Sequence, residues 1–276
     1  TDTDYETVPF NKENNFHPKN IEYYDRNNLD EGTAILPIIS NPQNPSGQTR
    51  SGEELRELIE IAEQPGNGIL LDEAYEMFHS PSVSGIEFVQ DFDSSNVFLS
   101  GACTKGLQSP GIRIGWIIAS KRNIEILANY SSFGMGGVSH PSQHYAIKLL
   151  DSSRVKKARK AVEEHYNWQR QRYGKAFKEM GLGVYTGNGG FYHWLELPKG
   201  MTSDELNNRL FKRGAAILCA FDCDMGRPHS KDPKYKTPYD RFFRFSFGPL
   251  LPETFEADIK LFREVYETYK NEAGVD

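Results

Sequence analysis

Residues 34–75, AILPIISNPQNPSGQTRSGEELRELIEIAEQPGNGILLDEAY, set two short apolar runs on either side of a charged, periodic segment. The runs AILPIIS (34–40) and GILLDEAY (68–75) have the nearly unbroken apolar character of strands covered on both faces. Between them Leu55, Leu58, Ile59 and Ala62 recur at helical spacing and so share one face. Ser51 followed three residues later by Glu54 predicts a capping box at the start of that helix. Strand, crossover helix and strand in this order predict parallel pairing within an α/β sheet.

Three further runs, ETVPF (6–10), VFLSG (97–101) and RIGWIIAS (113–120), extend the pattern to five candidate strands. After Pro141 the pattern changes. A long charged stretch (151–181) carries Val155, Ala158, Val162, Tyr166 and Tyr173 at helical spacing and reads as one long helix, mostly a solvated face. It is followed by a strand FYHWLELP (191–198), a helix DELNNRLFKRG (204–214), a strand AAILCAFD (215–222), a polar loop (226–240), a strand FFRFSFG (242–248) and a terminal helix (253–270). The expected architecture is α/β. A three-layer, mostly parallel large domain (1–160), incomplete at its N-terminus, precedes a smaller C-terminal α/β domain (161–276). The loop is long enough to suggest a functional role.

A chain of 276 residues with 38% hydrophobic side chains can bury a core of this size. Its net charge of −6 gives no global field for nucleic acid or an anionic membrane, so neither is an expected partner. Cys103, Cys219 and Cys223 lack metal-ligand spacing, and no long apolar run or signal peptide is evident, which points to a reducing, cytoplasmic setting and no metal site. Cys103 has no base near it in sequence and reads as small filler.

The chemistry-bearing residues gather at the carboxyl ends of successive expected strands. NPQNPSG (41–47) follows one strand, DEAY (72–75) closes the next, and CTKG (103–106) follows the third. In an open parallel sheet these ends line one crevice, where such folds bind ligands. Alone, each residue has an ordinary explanation: Asn44 a turn residue, Asp72 a cap, Tyr75 core, Lys105 and Arg113 surface charges. Together, an amine that can form a Schiff base, a carboxylate that can keep a pyridinium protonated, donors for a phenolate oxygen and a guanidinium fork for a phosphate are the parts of a pyridoxal phosphate site.

The ordered set NPQNPSG, LLDEAY, TKGLQSPGIRIGW, GGFYHWLELP and RFFRFSFG resembles the class I/II aminotransferases of the fold-type I pyridoxal phosphate enzymes, over nearly the whole chain. The resemblance implies that Lys105 forms the Schiff base and shuttles the proton, and that Asp72 pairs with the pyridine nitrogen. It implies that Asn44 and Tyr75 hold the ring oxygen, that Arg113 holds the phosphate, and that Arg244 binds the substrate α-carboxylate. It further implies a homodimer acting on an α-amino acid and a 2-oxo acid by a ping-pong transamination. The motifs do not separate this from a lyase, decarboxylase or cyclising enzyme of the same fold, or from a non-catalytic homologue. His140, Tyr130, Arg241 and the loop 226–240 are candidates for a side-chain pocket.

The chain departs from the family pattern in two places. Ala102 stands where many relatives carry a phosphate-gripping hydroxyl, a role that Thr104 or Ser109 would take over. Relatives also have about another third of chain ahead of the position matching ETVPF, carrying a glycine-rich phosphate loop, an aromatic stacked on the cofactor and a partner-contacting region. The sequence as given is expected to supply five of seven large-domain strands, leaving a sheet edge to be covered.

Overall fold

The computed structural model describes residues 5–27, 29–30, 32–226 and 235–275. Its first sheet has four strands in spatial order, β1 (Ile38–Ser40), β2 (Ile69–Asp72), β3 (Val97–Ala102) and β4 (Gly115–Ile118). The first three are parallel, and β4 runs antiparallel to β3 with Gly115 opposite Ala102. Helix α1 (Gly52–Ala62) is the crossover between β1 and β2. As its periodicity predicts, it buries Leu55, Leu58, Ile59 and Ala62, in one cluster with Ile39, Ile69, Leu71, Val97 and Leu99. Burial stabilises each of the larger side chains by about 1.5–3 kcal/mol, so this face holds the helix in place. Ser51 is the N-cap, but its side chain accepts no hydrogen bond and the capping box does not form.

Two expectations about this sheet fail. ETVPF forms no strand. Pro9 has no N–H for a ladder, and Phe10 instead packs edge-on to Phe16 and Tyr239, with its carbonyl accepting from the Tyr239 hydroxyl at 2.7 Å. β4 is a strand but is exposed along its whole length. Trp116, Ile117 and Ile118 lie at the surface, as do Ile126, Tyr130, Phe133 and Met135 of the following helix α2 (Lys121–Met135), which buries no residue.

After α3 (His140–Leu149) comes α4 (Ser152–Glu179), the long helix expected from the charged stretch. Its first turns are solvated, but from Val162 onward a stripe of Val162, Tyr166, Arg170, Tyr173 and Phe177 is buried, so the solvated reading fails for the second half. The second sheet is antiparallel throughout, with β5 (Gly183–Val184), β6 (Tyr192–Glu196), β7 (Leu218–Cys219) and β8 (Phe242–Ser246) in the order β5-β6-β8-β7. AAILCAFD yields only the two residues of β7 before the chain turns into a short 3-10 segment. Helices α5 (Ser203–Phe211) and α6 (Phe255–Glu272) complete this half. Residues 227–234 of the polar loop lie outside the described residues.

Strand alternation splits the second sheet into two faces. His193 and Phe245 meet Phe177 of α4, and Phe243 meets Phe262 of α6. Tyr192, Trp194, Phe242 and Arg244 belong to the other face, where Phe16 packs on Trp194 and Phe242 and Lys12 pairs with Glu196 at 2.8 Å.

Candidate active site

Three loops leave the carboxyl ends of β1, β2 and β3, and local hydrogen bonding shapes each one. The loop after β1 is closed by its first residue. Asn41 accepts from the Arg50 backbone N–H at 2.7 Å and returns a bond to the Arg50 carbonyl at 3.0 Å. Arg50 is itself buried and donates to Asn20 and the Pro18 carbonyl, so the loop has a fixed base. Asn44 is thereby presented at the loop tip, exposed, with its N–H on Ser40 Oγ at 3.1 Å.

The same loop touches the second sheet. Gly189 N–H donates to the Gly47 carbonyl and Gly187 N–H to the Ser46 carbonyl, both at 2.8 Å. Gly47 has φ +70°, and a Cβ there would collide with the Gly189 carbonyl, so both the conformation and the approach require glycine. This contact brings GGFYHW beside NPQNPSG.

Asp72 is the last residue of β2, paired with Ser40 and Ser100 on its neighbours. Its carboxylate accepts from the Ala74 N–H at 3.1 Å and Ser100 Oγ at 3.4 Å and is only partly buried. Glu73 is buried beneath it and braces the following segment, accepting from Ser84 Oγ at 2.7 Å and Gly85 N–H at 2.6 Å. Burial pushes the Glu73 carboxyl up to about 7. The loop after β3 is pinned by Cys103 N–H on the Ile114 carbonyl and Ser109 N–H on the Cys103 carbonyl, both at 3.1 Å. Cys103 lies in an apolar cluster with Ile114, Ala146 and Leu149, and burial raises its thiol, in keeping with a packing role.

Lys105 projects from this loop into an aromatic wall, with Nζ 5.7 Å from the centre of the Tyr75 ring and 5.5 Å from that of Phe191. Tyr75 in turn shares a 2.9 Å hydrogen bond with the hydroxyl of Tyr192. The Arg244 guanidinium lies 4.2 Å over the Tyr192 ring and donates from Nη1 to Asn44 Oδ1 at 2.8 Å. Arg244 Nε is buried and unpartnered. Residues 44, 75, 105, 192 and 244 thus form one contiguous set, and Asp72 ends the strand between the two neighbouring loops. Arg113 does not join them. It is exposed, has φ +52° rather than a strand conformation, and donates to the Pro110 carbonyl at 3.1 Å. Thr104 is partly buried beside Lys105.

Arg241 is engaged elsewhere, on Glu196 and the Leu197 carbonyl, and Tyr130 is exposed on α2. A groove of about 600 Å³ lies away from this set, lined by Arg170, Lys175, Lys178, Thr186 and His193 among others. No group of side chains suited to a metal ion occurs among the described residues, and no helix there is long and apolar enough to cross a membrane.

Sequence reasoning did not single out Tyr192, Phe191, Glu73 or Arg170. Arg170 donates from Nη2 to the Phe78 carbonyl at 2.9 Å and the Gly190 carbonyl at 2.7 Å, tying the segment after DEAY to the one before Phe191. The available signal was the GG-aromatic-aromatic order at 189–192 directly ahead of an apolar strand.

Residues 3–248 match the family model for aminotransferase class I and II. The chain belongs to this family. A curated member, the aspartate aminotransferase of Pyrococcus horikoshii, is 27% identical over 213 residues, covering 76% of this chain and 54% of that protein. A 1-aminocyclopropane-1-carboxylate synthase of Prunus mume is 25% identical over 233 residues, covering 82% of this chain and 46% of that one. The chain therefore spans about half the length of these curated family members. Among solved structures, an aspartate aminotransferase variant of Thermus thermophilus superposes with a TM-score of 0.77 at 18% identity, over 94% of this chain and 63% of the other. An aromatic aminotransferase of Pyrococcus horikoshii gives 0.77 at 20% identity, over 95% and 67%. These likenesses establish the fold-type I α/β architecture that the family shares.

Proposed function

We propose that the protein is a pyridoxal phosphate-dependent aminotransferase that moves an amino group between an α-amino acid and a 2-oxo acid by a ping-pong mechanism. The observation that carries this reading is the contiguity of Asn44, Tyr75, Lys105 and Arg244, which come from four separate segments of the chain. The donor set suits the cofactor, with one amine, one carboxylate, a phenol and an amide around the crevice. Buried, unpartnered Arg244 Nε suits a carboxylate ligand.

Bound pyridoxal phosphate would supply an aldehyde for amines to condense with and a ring that accepts the electron pair left when Cα loses a proton. The residues of the chain do the rest. Lys105 Nζ would hold the aldehyde and, once displaced by the substrate amine, would take the proton from substrate Cα and deliver it to the carbon that had been the aldehyde. Asp72 keeps a proton on the ring nitrogen by its negative charge. Asn44 and Tyr75 would donate to the ring oxygen and Thr104 would serve the phosphate, which Arg113, at the end of the same loop, would reach by turning away from the Pro110 carbonyl. Arg244 orients the α-carboxylate, which fixes the Cα proton relative to Lys105. A cytoplasmic homodimer, with the two units dividing within α4 near residue 160, belongs to the same proposal.

A second reading, a cyclising or eliminating pyridoxal phosphate enzyme, draws support from the Prunus synthase. Products separate the two. An aminotransferase converts bound cofactor to the pyridoxamine form with an amino acid alone and is reset by a 2-oxo acid. Release of product without cofactor conversion and without an oxo acid favours the second reading, and absence of any visible cofactor band favours a non-catalytic homologue.

A further inference from the structure

We propose that Tyr192 is a positioning residue that sets the hydroxyl direction of Tyr75 and the plane of Arg244, linking the group that serves the cofactor's ring oxygen to the group that serves the substrate carboxylate. This inference rests on the pyridoxal phosphate reading. Tyr192 is buried, at 3% exposure, and its hydroxyl has one partner among the described residues, the Tyr75 hydroxyl at 2.9 Å. Burial raises its phenol, so it stays protonated.

Two neutral hydroxyls that face each other share one donated hydrogen. When an anionic oxygen stands near Tyr75, Tyr75 donates outward to it and Tyr192 must donate to Tyr75, because the alternative turns a lone pair of Tyr75 toward the anion in place of its hydrogen. Successive donors in such a row polarise one another, so Tyr75 is a stronger donor with Tyr192 behind it than alone. The Arg244 cation over the Tyr192 ring adds to this, since positive charge on the ring face draws electron density from the phenol. A substrate carboxylate that pairs with Arg244 offsets that charge, and its arrival is felt at Tyr75. Tyr192 also confines the guanidinium, which has the ring on one side and Asn44 at Nη1.

Two variants separate these roles from packing. Tyr192→Phe keeps the ring and deletes the hydroxyl, whereas Tyr192→Leu removes both. The readouts are the pH midpoint of the visible band of cofactor-loaded protein and the amino acid concentration that half-converts it. A weaker Tyr75 leaves more negative charge on the ring oxygen, so the neighbouring protonated nitrogen holds its proton more tightly. Tyr192→Phe is expected to move the midpoint up by about half to one pH unit, the size of one neutral hydrogen bond, and to leave half-conversion within about twofold. Tyr192→Leu is expected to move the midpoint and also to raise the half-converting concentration roughly tenfold, as Arg244 loses its platform. An unmoved midpoint in Tyr192→Phe, with a normal band in the unaltered protein, overturns this inference alone. No visible band in the unaltered protein overturns the pyridoxal phosphate reading and this inference with it.

Discussion

Replacing Arg244 with lysine keeps the positive charge and removes the fork. In the structure Nη1 is committed to Asn44 Oδ1 at 2.8 Å, Nε is buried without a partner, and Nη2 has no hydrogen bond among the described residues. The Nε and Nη2 edge, without a partner among the described residues, is the edge proposed to take both oxygens of a carboxylate while Nη1 stays in place. A lysine ammonium offers a point charge and no matched pair of donors. Losing one of two charge-assisted bonds costs about 1.5–3 kcal/mol, which is roughly a ten- to hundredfold rise in the half-saturating concentration. That rise is expected for amino acids and oxo acids alike, because both carry the carboxylate. The assay is the conversion of the cofactor's visible band at graded substrate concentration in each half-reaction. The cofactor's own band should survive, since Lys105 and Asp72 belong to the first sheet. Released cofactor with unchanged substrate dependence after reconstitution would move Arg244 to the cofactor site and refute the reasoning. Unchanged behaviour in both respects would make it a surface residue, although in the structure it faces Asn44 and Tyr192 rather than the neighbouring Asp240.

Asp72→Asn keeps an acceptor oxygen for the Ala74 N–H and removes the charge; the half-reaction should slow by at least about a hundredfold with little change in melting temperature, and near-normal turnover with bound cofactor would contradict the assigned role. Glu73 has its folded pKa raised from the ordinary 4.5 to about 7, so the folded state binds the extra proton and stability falls as pH rises between those values. Glu73→Gln, whose amide can donate to Ser84 Oγ and accept from Gly85 N–H, should remove that fall. Its stability relative to the unaltered protein should grow by up to about 3 kcal/mol from pH 4.5 to pH 7, and parallel denaturation curves across that range would exclude the effect.

Much of the first sheet was readable because burial leaves a period. Leu55, Leu58, Ile59 and Ala62 recur at the spacing of one helix face, and that face is the one covered. The direction and exposure of β4 were not readable, since GWII is as apolar as a buried strand and only the fold shows it exposed. ETVPF misled for a related reason: its phenylalanine is drawn to an aromatic cluster formed with residues 194 and 239, which no local pattern announces. At the site, the order of motifs singled out Asn44, Asp72, Tyr75, Lys105, Arg113 and Arg244; the structure links Asn44, Tyr75, Lys105 and Arg244 in one set with Tyr192 and leaves Arg113 apart from it. Tyr192 itself was hidden inside a strand pattern, because its meaning depends on a hydroxyl 117 positions away. Arg170 was hidden in the same way, as one cation among many on a charged helix, distinguished only by the two carbonyls it reaches.

The central claim is that Lys105 is the amine that carries pyridoxal phosphate. Borohydride reduction of cofactor-loaded protein makes that linkage permanent, and peptide mapping then locates it. The label is expected on the peptide containing Lys105, where the amine faces Tyr75 and Phe191, and a label on any other lysine would contradict the account.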